Sequence, residues 1–266
     1  MTVTLYHGDC LEVLPTLDAG SVDLVVTSPP YNCGKDYATY DDDLEITEYF
    51  DWVELWLKEC KRCLGHGGRV AVNIPWWIGR KPRIFTLPHY CRAAVSAGLL
   101  IADKIIWVKG NENGLRGDLG TGWGTWMSPS GPSIRCASEP ILVFVNGSRG
   151  RGRISGDGRG ACVHGDMTKE EFLAYTTDVW MVQGRSDQEH PAVYPKEIPG
   201  RLTRLYTWPG ETVLDPFMGS GTTGLACAEA NRSFIGIEID RGYYEIAERR
   251  IAEAQAQMRL PLEMTP

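Results

Sequence analysis

Residues 212–224 read TVLDPFMGSGTTG. Gly219, Gly221 and Gly224 place a G-x-G-x-x-G between a short apolar run (212–214) and a helical stretch (221–230). That strand–turn–helix context is what the motif requires. Glycines let the backbone approach a ligand closely, and a helix start offers N–H groups that no intrahelical carbonyl takes. A second apolar run, 234–238, ends in Glu238. An acid about 20 residues beyond the glycines is placed to accept both hydroxyls of a ribose. Asp240 is the competing acid, but it lies past the strand end, where a surface role fits better. The stretch therefore predicts an α/β fold that holds a nucleoside-containing cofactor.

The position of this segment predicts the rest of the architecture. The spacing alone fits a dinucleotide or S-adenosylmethionine equally. A dinucleotide domain opens with such a motif, whereas here it starts after residue 210 and too little chain follows to complete a sheet. The remaining strands must come from the N-terminal half, so the order of elements is permuted. Strand candidates are 3–6, 22–27, 69–73, 104–108, 140–145, 212–214 and 234–238; helix candidates are 10–17, 47–64, 89–97, 196–206, 221–230 and 243–257. Short apolar strands alternating with helices predict a doubly wound, mostly parallel, seven-stranded Rossmann-like sheet.

Composition bounds the reading from outside. The chain has 266 residues, with 43% hydrophobic, 23% charged and 10% aromatic residues, which excludes wholesale disorder. No apolar run approaches the ~18 residues of a membrane span, and the start, MTVTLYHGDC, lacks the basic and apolar regions of a signal peptide. A reduced, cytoplasmic protein is the expectation, with eight scattered cysteines left as thiols. Cys60 and Cys63 form a C-x-x-C inside a helical stretch with no second pair at zinc-finger spacing, so a core position is expected and no metal. Lys and Arg number 27 against 34 Asp and Glu, a net charge of −7. That balance argues against nucleic acid unless basic residues are concentrated on one face.

The run 22–27 leads into Ser28, Pro29, Pro30, Tyr31 and Asn32. Two prolines at a strand end fix a rigid, extended corner, because neither can donate to a ladder. A corner at the carboxyl end of a strand is where open α/β sheets bind ligands. It presents a hydroxyl, two carbonyls that only accept, and an aromatic ring. These are acceptors for an NH₂ group and a face for a planar base. No G-x-S-x-G elbow accompanies Ser28, so nucleophilic hydrolysis is not expected.

TSPPYN followed late in the chain by LDPFMGSGTTG resembles the beta group of amino-directed DNA methyltransferases. The resemblance covers nearly the whole chain and implies a single catalytic domain, 1–266. It implies methyl transfer from S-adenosylmethionine to an exocyclic amine of cytosine or adenine in double-stranded DNA. Ser28, Pro29, Pro30 and Tyr31 match the catalytic motif. Asp9 and Cys10, within HGDC, resemble the adenine-contacting segment. His190 and Pro191 resemble the segment closing over the methionine end. Asp215, Phe217, Gly219, Ser220, Gly221 and Thr222 match the cofactor loop, and Glu238 the ribose acid. KIIWVK (104–109) and EPILVF (139–144) resemble later sheet strands. Ser at the first motif position favours cytosine N4 over adenine N6. The resemblance further implies that Ser28 Oγ and the Pro29 carbonyl accept the amine hydrogens while Tyr31 stacks on an extruded base.

Recognition in this family lies between EPILVF and HPA, here 146–189. That interval carries Arg149, Arg151, Arg153 and Arg159, and 169–176 reads as a small helix. Arg80, Lys81 and Arg83 form a second basic loop. Both are expected to contact DNA phosphates. Trp123, Trp126 and Tyr175 could stack on bases, with core packing the favoured expectation for any one of them. So short a reader suggests a short site or a second subunit, and the length leaves no room for a nuclease, so any restriction endonuclease would be a separate chain. A nicotinamide-dependent oxidoreductase would leave SPPY and the permuted order unexplained. The same motifs also admit a nucleic-acid binder without activity, or a methyltransferase acting on RNA or on a protein glutamine.

Overall fold

The structure is a computed structural model that describes residues 1–32, 36–37, 40–41, 43–79, 83–111, 114–115, 124–151, 165–183 and 194–259. Eight strands form the continuous path of one sheet: β1 (Val3–His7), β2 (Val22–Thr27), β3 (Leu64–Asn73), β4 (Leu100–Asn111), β5 (Ser138–Val145), β6 (Val179–Val182), β7 (Thr212–Asp215) and β8 (Ser233–Glu238). Their spatial order is β1-β8-β7-β2-β3-β5-β4-β6, with a ninth strand, Gly114–Leu115, paired to β4. Only β5 runs against the others in that path.

All seven expected strands lie in this sheet, and β6 extends it. Val179 and Met181 are half exposed while Trp180 and Val182 are buried, the period-2 pattern of an edge strand with one wet face. Four residues give too short a pattern to read from sequence. Strand β3 begins at Leu64, earlier than the expected 69, because the preceding helix ends at Cys63.

The helices are α1 (Cys10–Val13), α2 (Ile46–Cys63), α3 (Thr86–Ser96), α4 (Lys169–Tyr175), α5 (Glu197–Tyr206), α6 (Thr222–Glu229) and α7 (Arg241–Arg259). Helix α2 buries Tyr49, Phe50, Val53, Trp56, Leu57, Cys60 and Cys63, an i, i+3, i+4 stripe against one sheet face. Each such side chain contributes about 1.5–3 kcal/mol of burial. Cys60 and Cys63 belong to this stripe, and burial pushes both thiols up. The other face is covered from Ile198 and Leu202 of α5, Cys227 of α6 and Ala247 and Ile251 of α7. Gly224 is needed there: a Cβ on it would lie 2.3 Å from Ile251 Cδ1. Among the described residues, no helix is long and apolar enough to cross a membrane.

The permutation has a direct structural meaning. Strands β7 and β2 are parallel neighbours, Val213 beside Leu24 and Leu214 beside Val25. From β7 the chain winds outward through α6 to β8; from β2 it winds the other way through α2 to β3. Such a reversal opens a crevice at the carboxyl ends of the two strands.

Candidate active site at the carboxyl edge of the sheet

Both sequence motifs leave the sheet at that crevice. Asp215 ends β7 and is fully buried. Its carboxylate takes Thr27 Oγ1 from the end of β2 at 2.7 Å, Thr223 Oγ1 from α6 at 2.5 Å and Phe217 N at 3.1 Å. Burial pushes Asp215 up to about 6, and the three hydrogen bonds oppose that shift. Thr27 thus ties the strand before Ser28 to the cofactor loop. Tyr194 Oη meets Thr223 Oγ1 at 2.5 Å and extends the same buried network.

Beyond Asp215, Gly219 and Gly221 have φ of 50° and 82°. The left-handed turn at Gly221 starts α6 with no side-chain cap. Gly219 N donates to Glu238 Oε2 at 2.9 Å, and Asp240 N donates to Glu238 Oε1 at 2.8 Å. Each oxygen accepts one backbone N–H and keeps further accepting capacity, and burial raises the carboxyl. Arg250 of α7 fixes Ser220 by donating to its carbonyl and its Oγ, both at 2.8 Å. Phe217 packs against Trp52 and Trp56 of α2, with ring centroids 5.3 and 5.4 Å apart. Asp9 spends its carboxylate capping α1 through Leu11 N at 2.8 Å, and Cys10 is buried beneath. Gly8 N bonds the Glu238 carbonyl at 2.9 Å, bringing that segment beside the acid. A carboxylate with spare lone pairs beside a turn of left-handed glycines fits a ribose with its base alongside. Of the expected cofactor residues, His190 and Pro191 lie outside the described residues.

The corner after β2 is held from two sides. The Pro30 carbonyl accepts Tyr49 Oη at 2.8 Å, and Tyr49 in turn meets Tyr90 Oη at 2.7 Å. Asn32 takes φ of 53° and pairs its amide with the Leu44 backbone at 2.7 and 2.8 Å. Ser28 Oγ lies 2.8 Å from Tyr31 Oη, and Tyr31 Oη lies 3.3 Å from Glu139 Oε2. Asn73, at the end of β3, donates to both Tyr31 Oη and Glu139 Oε2 at 2.7 Å. Lys109, at the end of β4, pairs with Glu139 Oε1. Burial first, and the Glu139 carboxylate second, hold the Tyr31 phenol well above its usual range, so it stays protonated. Asn73, Lys109 and Glu139 are members of this cluster that sequence reasoning did not single out. Their signal is a polar residue closing or opening an otherwise apolar strand: RVAVN, KIIWVK, EPILVF.

The basic segments divide between two edges. Arg83 is exposed between the short strands Trp77–Ile78 and Ile84–Phe85, which follow β3 at the catalytic edge. Arg80 and Lys81 lie outside the described residues. Trp77 and Phe85 are exposed there, and Trp76 Nε1 donates to Ser138 Oγ at 3.1 Å.

Arg149 and Arg151 correct the expectation of a phosphate-facing loop. Strand β5 runs backward, so the chain after Val145 emerges at the opposite, amino edge. There Arg151 pairs with Asp23 at 2.9 Å and Glu211 at 3.0 Å, and its side chain is 13% exposed. Arg149 donates to the Ala102 carbonyl. The Arg151 guanidinium is spent on the amino edge of the sheet, and the exposed Arg149 is tied to that edge through one hydrogen bond. Arg153 and Arg159 lie outside the described residues.

Known proteins resemble this chain in sequence and, among solved structures, in fold. The Type II methyltransferase M.MjaVI of Methanocaldococcus jannaschii is 35% identical over 70% of this chain and 89% of its own. M.ScaI of Streptomyces caespitosus, also a Type II methyltransferase, is 31% identical over 96% and 83%. A crystal structure of a putative DNA modification methylase from Thermus thermophilus, complexed with S-adenosyl-L-methionine, superposes with a TM-score of 0.74. It is 26% identical and covers 95% of this chain and 94% of that one. The PvuII cytosine-N4-specific DNA methyltransferase shares the fold at 22% identity, with a TM-score of 0.68 over the whole of this chain and 89% of its own. The DNA methylase family model spans residues 22–249, from the strand before Ser28 past the Glu238 acid, and this chain belongs to that family.

Proposed function

We propose that this chain transfers a methyl group from S-adenosylmethionine to the exocyclic amine of an extruded base in double-stranded DNA, with cytosine N4 favoured over adenine N6. The observation that carries it is the Thr27–Asp215 hydrogen bond of 2.7 Å, which locks the SPPY corner beside the glycine loop. When bound, S-adenosylmethionine supplies an already activated methyl group, so the protein needs no nucleophile of its own.

The chain's residues then position and polarise. Glu139 as a carboxylate only accepts, so the Tyr31 hydroxyl points at it, and Ser28 Oγ–H points at Tyr31. That leaves the Ser28 lone pairs for one amine hydrogen. The Pro30 carbonyl already accepts from Tyr49, and the Pro29 carbonyl is the acceptor proposed for the other. Two acceptors on an amine draw its lone pair out of conjugation and aim it. A neutral Ser28 in this place supports cytosine N4. Glu238, Gly219, Gly221, Ser220, Thr222, Phe217, Asp9 and Cys10 would hold the cofactor, with His190 and Pro191 closing over it. The exposed Trp77, Arg83 and Phe85 make the DNA face at the catalytic edge, and the sequence adds Arg80 and Lys81 as phosphate contacts.

Nucleosides from treated DNA, analysed by mass spectrometry, test the base assignment. N4-methylcytosine is expected; N6-methyladenine alone overturns the cytosine reading. The Type II methyltransferase names of the relatives support a restriction–modification setting, and the proposal adds an endonuclease on a separate chain. Sedimentation with and without a duplex tests whether a second copy of the chain joins the complex.

A pH test addresses Asp215. Its folded value of about 6 lies above the ordinary 3.8, so its protonated form is favoured by the fold. Its contribution to stability is full below 3.8 and lost as the pH rises through about 6. A sulfonium and an ammonium group favour the carboxylate instead. Affinity for S-adenosylmethionine is therefore expected to fall as the pH drops through about 6, and Asp215→Asn to flatten that dependence. Calorimetric titrations across the range check it; a flat wild-type profile overturns it.

A further inference from the structure

The chain between β4 and β5 leaves and re-enters the sheet at the catalytic edge, Ser138 pairing with Val108. Its residues 124–137 form a turn whose hydroxyls bond one another while its apolar side chains stand exposed. Gly124 pairs with Pro132, and Thr125 N donates to the Gly131 carbonyl at 2.9 Å. The hydroxyls bond within the turn: Ser128 Oγ lies 2.9 Å from Ser130 Oγ, Ser130 Oγ donates to Thr125 Oγ1 at 3.3 Å, and Thr125 Oγ1 donates to the Ser128 carbonyl at 3.2 Å. The apolar side chains face out: Trp126 is 65% exposed, and Met127 and Ile134 are each 88% exposed. Met127 also holds φ of 52°, a conformation that an L side chain rarely adopts.

An internally cross-linked turn that displays a large aromatic and a thioether fits a surface that is covered during function. The occupant here is the base stack of duplex DNA. The turn leads into β5, whose second residue is Glu139, the acid bonded to Tyr31. A base drawn to Tyr31 leaves a gap in the stack, and apolar side chains inserted at a base step fill such gaps. We infer that Trp126 and Met127 form a wedge that enters the duplex and holds the gap open while the target base is in the site. This rests on the extruded-base reading above and adds the element that stabilises extrusion.

The test compares wild type with Trp126→Ala, Met127→Gly and the double variant. Glycine suits the φ of Met127, so that change removes the side chain and leaves the turn its conformation. Two duplexes are used, one with the target base paired and one with it opposite an abasic site. For the double variant, kcat on the paired target is expected to fall about tenfold, with S-adenosylmethionine affinity unchanged and activity restored on the unpaired target. Full activity on the paired target, or a loss that the unpaired target does not restore, overturns the wedge. So does a change confined to self-association in sedimentation, which would make the occupant a second copy of the chain. A wild-type protein inactive on both duplexes overturns the methyl-transfer reading, and the wedge with it.

Discussion

Tyr31→Ala is expected to lose roughly ten- to a hundredfold in turnover on DNA, because base–aromatic stacking contributes about 1–3 kcal/mol. S-adenosylmethionine affinity is expected to stay at the wild-type level, since Gly219 and Glu238 hold each other independently of the ring. Tyr31→Phe separates the two roles of this residue. It keeps the stacking face and breaks the hydrogen-bonded chain from Ser28 to Glu139. A smaller loss is expected for Phe than for Ala, carried by kcat rather than by KM for DNA. Steady-state kinetics with a tritiated methyl donor measure both. Wild-type rates in Tyr31→Ala would remove the ring from the mechanism.

Arg232→Ala is expected to give the largest loss of stability. The Arg232 side chain is fully buried. Its guanidinium meets Asp166 at 2.5 and 2.8 Å, the Thr207 carbonyl at 2.6 Å and Thr207 Oγ1 at 3.0 Å. Truncation strands these acceptors, and breaking a buried pair costs about 3–5 kcal/mol. Asp166 keeps 35% of its side chain exposed, so water recovers part of that loss. About 3 kcal/mol and a fall in Tm of roughly 6–12 °C are expected for a chain of this size. Arg232 also holds Asp166 below the ordinary carboxylate value of 3.8. The pair's contribution is therefore present above that value and lost as the pH falls through the depressed one. Thermal melts of wild type and Arg232→Ala at neutral pH and near pH 3 check this, and the gap between them is expected to narrow in acid. A Tm unchanged at neutral pH would place the stability of this junction elsewhere.

Arg232 shows where the sequence is silent. In ANRSF it reads as an exposed turn residue between a helix and a strand. Only the return of residue 166, 66 positions away in the chain, makes it the centre of a buried network. Arg151 shows the converse. In SRGRGR it reads as a phosphate contact, yet the antiparallel course of β5 delivers it to the amino edge, against Asp23 and Glu211.

Local spacing carried most of the architecture. The apolar runs, the two prolines after Thr27 and the glycines at 219, 221 and 224 each act over a few residues, through φ limits, missing donors and close helix packing, so they are legible along the chain. Those signals determined the α/β sheet, its permuted order and the corner at Ser28. Strand direction and neighbour choice are decided by burial of whole faces, which no short window contains. The tertiary structure alone decided that Thr27 bonds Asp215, that Asn73, Lys109 and Glu139 converge on Tyr31, and which edge each basic loop occupies. These groups come from separate strands, and only the closed sheet brings them within hydrogen-bond reach.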